Sequence, residues 1–398
     1  MRLSTALLLP FAALVGAPAA MAADLPVAPE PVDYVRVCDA YGTGFFYIPG
    51  SDTCLRISGA IRAEYRFNDM GDHGNSWDDR SDNGTSSRAR AYLYMDSRTN
   101  TEYGLLRTYM ETYFTQDSGA DEATTLNKAF VQFGNFTFGK TQSFWDFWTG
   151  YAFGANTYMY SDQKTWAAAY TAAFGNGLSG TLSVEDGTYR RTDLNASGTF
   201  ASTSSTDTIG YAGHRFPDVV ANLRMDQGWG SAQIMAAIHE TRFAAAYDDS
   251  SLGWAIGGGV ELNAPIMNYK DKVVLQAAYA DGASSYVQNG WADGITDAVY
   301  NGGKVKNTRT WGVMGGLNHN WNSNWETNIE GGYATADASL GGQLDFNQWN
   351  ANANVVWKPV AGLSIGAELE YQDVDYDSAS SLQDKDSVSG LVRVQRKF

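Results

Sequence analysis

The stretch Ser387 to Phe398 limits the fold more than any other part of the chain. Val388, Val392, Val394 and Phe398 stand at one parity, and Ser387, Ser389, Arg393, Gln395 and Lys397 at the other. Successive side chains of a strand point to opposite faces, so a period of two gives one apolar and one polar face. A chain made of many such strands must deal with its two sheet edges. A sandwich covers them with neighbouring segments, and a barrel removes them by pairing its last strand with its first.

The same period recurs through most of the 398 residues. Leu55, Ile57, Ile61, Tyr65 and Phe67 oppose Arg56, Ser58, Arg62, Glu64 and Arg66. Further strand patterns lie near 89–96, 103–114, 128–133, 136–140, 164–174, 178–185, 219–225, 231–243, 253–262, 272–286, 308–321, 325–337, 346–357, 363–376 and 387–398. That makes about 16, an even number, which sets both chain ends on one side of a barrel. Two strands show the faces most plainly. Trp349, Ala351, Ala353, Val355 and Trp357 oppose Asn350, Asn352 and Asn354, and Leu363, Ile365, Ala367 and Leu369 oppose Ser364, Glu368 and Glu370.

Connections alternate between short and long. Gln227 to Gly230, Asn322 to Asn324 and Pro359 to Gly362 are short, whereas 68–85, 191–211 and 281–306 are long and polar. This asymmetry is that of an outer-membrane barrel. A soluble β-sandwich alternates in the same way, but it does not need so many long strands. Nor does it need Trp229, Trp321, Trp325 and Trp357 beside the short turns, where a barrel carries an interfacial girdle. Gly (42) and Tyr (23) are abundant and charged residues are 18%, a composition for strands and turns rather than helices. The mean hydropathy of −0.32 excludes a helical membrane bundle but not a barrel with a polar interior.

Residues 1–22 read as a secretory leader: Arg2 is its basic end, Ala6 to Val15 its apolar core, and Ala20-Met21-Ala22 a small-residue cleavage site. Residues 23–54 are expected to form an amino-terminal periplasmic segment and 55–398 the barrel. Cys38 and Cys54, in an exported chain and without nearby His, read as a disulfide rather than a metal site. The net charge of −16 argues against nucleic acid as a partner.

One stretch breaks the rhythm. From Ser143 to Ser161, Phe144, Trp145, Phe147, Trp148, Tyr151 and Phe153 crowd around Asp146 with several glycines. So apolar a segment needs a surface to pack against, and the inner wall of a wide barrel offers one.

Three passages carry a family likeness: Tyr34-Val35-Arg36-Val37-Cys38-Asp39-Ala40-Tyr41-Gly42 with Gly44 to Gly50 and Cys54 to Ile57; Ala129 to Gly134 leading to Phe136 to Thr141; and Val392 to Phe398, with the aromatic terminus of bacterial outer-membrane barrels. The chain resembles the porins of alphaproteobacteria such as the rhizobia. The resemblance implies an all-β, 16-stranded antiparallel transmembrane barrel in the bacterial outer membrane. It implies a homotrimer in contact with lipid and lipopolysaccharide, and passive diffusion of small hydrophilic molecules and ions without a cofactor. It also implies a third external loop folded inward, and Ser143 to Ser161 holds that place. Enterobacterial porins carry Pro-Glu-Phe-Gly-Gly at the tip of that loop, whereas this chain has Ala152-Phe153-Gly154 and lacks the Glu.

The interior charges set selectivity in such a pore. Arg56, Arg62, Arg66, Arg88, Arg90 and Arg107 are expected on one inner wall, extended by Lys128 and Lys140, with Asp146, Phe153 and Asp162 on the loop across from them. Pairing of these arginines with Glu64, Asp96 and Glu111 is the structural alternative. A sugar- or nutrient-selective channel is the rival function, with the loop's aromatic rings as part of its track. An enzyme is disfavoured: His is only 4 and no nucleophile elbow or phosphate loop stands out.

Overall fold

The computed structural model describes residues 36–70, 77, 79–155, 159–195, 210–244, 249–265 and 270–398. The leader, residues 23–31, Tyr34, Val35, His73 and Tyr158 lie outside the described residues. Sixteen antiparallel strands close into a barrel. They are β1 (Cys54–Phe67), β2 (Thr85–Thr101), β3 (Gly104–Asp117), β4 (Ala123–Phe133), β5 (Phe136–Gln142), β6 (Lys164–Gly175), β7 (Leu178–Glu185) and β8 (Asp218–Gln227), followed by β9 (Gly230–Arg242), β10 (Ser250–Asn263), β11 (Lys272–Asp281), β12 (Arg309–Asn320), β13 (Trp325–Asp337), β14 (Phe346–Trp357), β15 (Leu363–Tyr376) and β16 (Lys385–Lys397). Each pairs with its sequence neighbour, and β16 closes on β1 with Ala60 opposite Lys397 and Phe67 opposite Gly390. Phe398 and Gly59 exchange both backbone hydrogen bonds, at 2.9 and 3.0 Å. Closure leaves no barrel strand without a partner on either side, which a hydrocarbon environment demands of backbone donors and acceptors.

The period-two faces are realised. Ile57 is 53% exposed, Ile234 63% and Leu369 64%, while inward Asn352 and Asn354 are nearly inaccessible. Inverting the usual soluble pattern, the large apolar side chains face out and the polar ones in, as a lipid-facing barrel requires. Trp229, Trp321, Trp325 and Trp357 are all exposed, with Trp325 stacked on Trp357 at the short-turn end. Among the tight turns, Gly134 adopts φ +56°, a left-handed conformation that costs glycine least, so that β4 can reverse into β5.

The connection between β11 and β12 differs from expectation. The strand pattern 272–286 ends as a strand at Asp281, because Ser284–Tyr286 turn into a 3-10 helix that folds inward. The connection 281–306 is therefore no ordinary solvated loop: Tyr286, Val287, Gln288 and Val299 are fully buried, Tyr286 and Val287 in a cluster with Trp145 and Val299 against Ala338 and Leu344. Its strands Thr296–Asn301 and Lys304–Asn307 form a small separate sheet with Asp193–Asn195.

Candidate constriction of the channel

The described parts of segment 143–163, residues 143–155 and 159–163, lie inside the barrel and follow its inner wall. The segment enters at β7, where Glu185 accepts from the Ser143 hydroxyl at 2.6 Å and the Phe144 N–H at 2.9 Å. Gln233 on β9 donates to the Trp145 carbonyl, and Gln276 on β11 accepts from the Trp148 N–H. Glu330 on β13 accepts from the N–H groups of Tyr151 (2.6 Å) and Ala152 (2.9 Å), and Glu368 on β15 from that of Phe153. Arg66 on β1 then donates to the Ala155 carbonyl at 3.1 Å. An irregular segment carries unpaired backbone groups, and buried ones must find partners. Here glutamates, glutamines and an arginine of the wall supply them.

The wall also makes room for the rings. A Cβ on Gly316 would stand 2.8 Å from Trp148, one on Gly366 2.7 Å from Phe153, one on Gly257 3.1 Å from Trp145, and one on Gly259 would run into Phe147. Each lies on the inward face of its strand, so glycine is what lets the rings lie flat against the sheet. Trp145, Trp148 and Tyr160 are buried, and Tyr151 donates its hydroxyl to Glu261 at 2.7 Å. Burial and the Glu261 carboxylate both hold the Tyr151 phenol well above its ordinary pKa.

Asp146 is not turned toward the channel. Its side chain is fully buried and pairs with Arg190, also buried, at 3.0 Å. It further accepts from Ser161 and from the Gln163 N–H. A carboxylate taken out of water needs such partners, and Arg190, from the 3-10 helix Gly187–Arg190 after β7, provides the countercharge. Asp162 is partly exposed and holds Lys164 at 2.5 Å. Phe153 packs under Arg393, its ring centroid 4.3 Å from the guanidinium.

The opposite wall carries the arginines. Glu64 on β1 is surrounded by Arg393 (2.7 Å), Arg66 (2.8 Å) and Arg62 (3.5 Å). Asp96 on β2 is surrounded by Arg98 (2.8 Å), Arg107 (2.9 Å) and Arg56 (3.7 Å). Arg88 pairs with Asp117 at 2.6 Å. Arg90, directly opposite Arg62, donates to Thr115 and lies over the Tyr113 ring at 4.3 Å. Among the described residues it has no carboxylate partner. Around Glu64 and Asp96, six guanidiniums therefore face two carboxylates. Among the described residues Glu111 takes no arginine; it accepts from Asn127 and Tyr109.

Lys128 is on the inward face opposite Glu111. Lys140 is not inward. It pairs across the sheet with Trp166, which is 50% exposed on the outer face, and it lies 5.2 Å from the Tyr189 ring. The outward parity of Phe136 and Phe138 on the same strand carries Lys140 with it. Arg98, Arg393 and Arg190 were missing from the expected set. Arg98 and Arg393 sit at inward parity, so the signal was present in the strand period. For Arg190, in a loop, the sequence holds no periodic signal. Cys38 and Cys54 form the disulfide.

A family model described as a porin subfamily matches residues 24–391. The chain belongs to that porin subfamily. It is 31% identical to the porin Omp2b of Brucella abortus (strain 2308) over 417 residues, covering 100% of both chains. Among solved structures the porin resembles the outer-membrane channel DcaP of Acinetobacter baumannii, with TM-score 0.70 and 16% identity over 88% of this chain and 99% of that one. It also resembles OmpT of Vibrio cholerae in a trimer form, with TM-score 0.50 and 10% identity over 87% of this chain and 100% of that one. The protein is an outer-membrane diffusion channel with a multi-pass β-barrel, a channel rather than an enzyme by family.

Proposed function

We propose that the narrowest passage lies between segment 143–163 and the inner face of β1–β4 and β16, and that it favours small anions over cations. One observation carries this reading: the arginines outnumber the carboxylates on the uncovered wall, while Glu185, Glu330 and Glu368 on the other are taken up by the segment's N–H groups. Positive charge in a narrow, partly dehydrated passage repels cations most strongly. Passage is passive, for hydrophilic solutes and ions, with no catalytic step and no cofactor. Short turns at one end support a periplasmic orientation for that end and for the disulfide-closed segment. Lipid and lipopolysaccharide contact the outer face. The trimer form of OmpT and the small outward residues Ala89 and Ala91 on β2 support a homotrimer. Reversal potentials of the refolded porin across a KCl gradient test the reading. An anion-favouring sign, lost on R62Q/R90Q, is expected; a cation-favouring sign in the unaltered porin contradicts it.

A solute-selective channel is the second reading. Of the rings of segment 143–163 that were expected to form a track, Trp145, Trp148 and Tyr160 are buried, while Phe144, Phe147, Tyr151 and Phe153 are half-buried; Tyr92, Tyr94 and Tyr113 line the arginine wall, with Tyr92 and Tyr94 stacked at 6.0 Å. Block of the ionic current by sugars would favour it.

A further inference from the structure

Arg36 to Thr53 fold into a small unit against the start of β1. Cys38 donates to the Phe45 carbonyl at 2.9 Å, Tyr47 to that of Arg36 at 2.8 Å, and the disulfide ties Cys38 to Cys54. The short strand Phe46–Tyr47 pairs with β1, with Phe46 opposite Leu55 and Tyr47 opposite Cys54. It covers the part of the β1 edge that extends past the end of β16, where β1–β16 pairing begins only at Ala60.

This register decides where the unit points. Leu55 is at outward parity and Arg56 at inward parity, so Phe45, one place before Phe46, falls on the inward side beside Arg56. Phe45 is 2% exposed and forms the centre of a cluster with Cys38, Cys54, Tyr41 and Tyr47. The Arg56 guanidinium lies 4.8 Å from the Phe45 centroid, and that of Arg98 lies 5.0 Å from Phe45 and 5.7 Å from Tyr41. These two arginines, with Arg107, enclose Asp96. Three guanidiniums on one carboxylate leave an excess of positive charge at the short-turn mouth. The Arg56 side chain is still 40% exposed there. The Arg62, Arg66 and Arg393 group lies further along the wall, so the two groups of positive charge are met one after the other. Aromatic faces attract guanidinium groups, so the disulfide-closed unit fixes the direction in which Arg56 and Arg98 point.

We propose that Arg56 and Arg98 form a second charge filter for small anions at the short-turn mouth, in series with the main constriction and held in place by Phe45. The inference rests on the anion-favouring reading of the arginine wall. A fixed charge near one end of an asymmetric pore attracts anions from that side and repels cations, so current at low salt depends on the sign of the voltage.

The full mature chain is refolded in detergent, with closure of the barrel checked by heat-modifiable gel mobility. It is measured in planar bilayers in dilute KCl, with and without a gradient. R56Q/R98Q is expected to lower the anion-to-cation permeability ratio about twofold and to reduce the rectification. F45L keeps both charges but removes their seat, and it is expected to move both readouts the same way by less. R62Q/R90Q, at the main constriction, is expected to lower the ratio while keeping the rectification. A lowered ratio in R62Q/R90Q alone, with R56Q/R98Q unchanged in both readouts, overturns the second filter and leaves the constriction reading standing. No change in either double variant overturns both.

Discussion

The two halves of the barrel wall handle charge in opposite ways. On β1–β4 and β16, arginines surround Glu64 and Asp96 and satisfy them within the wall. On β7–β15, Glu185, Glu261, Glu330 and Glu368 face inward and bind the inserted segment instead. The difference explains why the segment lies where it does. A loop brought inside a barrel carries backbone donors that need acceptors, and rings that need flat surface. The half formed by β7–β15 offers carboxylate acceptors together with inward glycines. Apart from the contacts of Phe153 with Arg393 and of Ala155 with Arg66, the other half stays uncovered, and its surplus of positive charge remains next to the water.

The strongest way to break this comparison is to remove the covering segment. Replacing residues 144–160 by a short Gly-Ser link is expected to raise single-channel conductance, the largest effect foreseen; unchanged conductance would place the constriction elsewhere. Next comes E330A, which strips the acceptor from the Tyr151 and Ala152 N–H groups. Leaving buried donors unpaired costs about 1–3 kcal/mol each, so a lower thermal midpoint in detergent and a noisier open-channel current are expected. G259L should act similarly by displacing Phe147.

On the uncovered half, R62Q/R90Q is expected to shift selectivity toward cations. That shift should shrink in concentrated salt, where the screening length is about 3 Å at 1 M. A shift that persists there would argue against an electrostatic cause. The smallest effect belongs to K140Q. Because Lys140 shares the outer face with Trp166, its reversal potential should match that of the unaltered porin. A shift as large as that of R62Q/R90Q would return Lys140 to the channel.

Much of the fold was legible because a barrel strand is buried on neither face in the soluble sense. Its two environments are lipid and water, and side-chain polarity alternates without exception in places such as Trp349 to Val355. The arginine wall was legible for the same reason, through the parity of Arg56, Arg62, Arg66, Arg88, Arg90 and Arg107. Lys140 was legible too: Phe136 and Phe138 set its side, and its charge is a poorer guide than its position. What the sequence concealed are contacts made across long separations by residues outside strands. Asp146 looks like a channel-facing acid until Arg190, 44 positions away, is brought to it by the loop after β7. Tyr286 and Asp297 sit in a connection rich in polar residues, yet each is buried through bonds to distant partners, Tyr286 to Asp218 and Asp297 to Tyr211. Arg393 joins Glu64 only because closure unites positions 329 apart.

The unequal covering of the two walls is tested most directly by cysteine accessibility. The two native cysteines are joined to each other, so an introduced thiol has no background among the described residues. R90C, on the uncovered wall, is expected to react with a bulky water-soluble thiol reagent and to lose conductance as it does. Q276C, under Trp148 and nearly inaccessible, is expected to resist the same reagent until segment 144–160 is removed. Equal reactivity of R90C and Q276C in the intact porin would contradict the account.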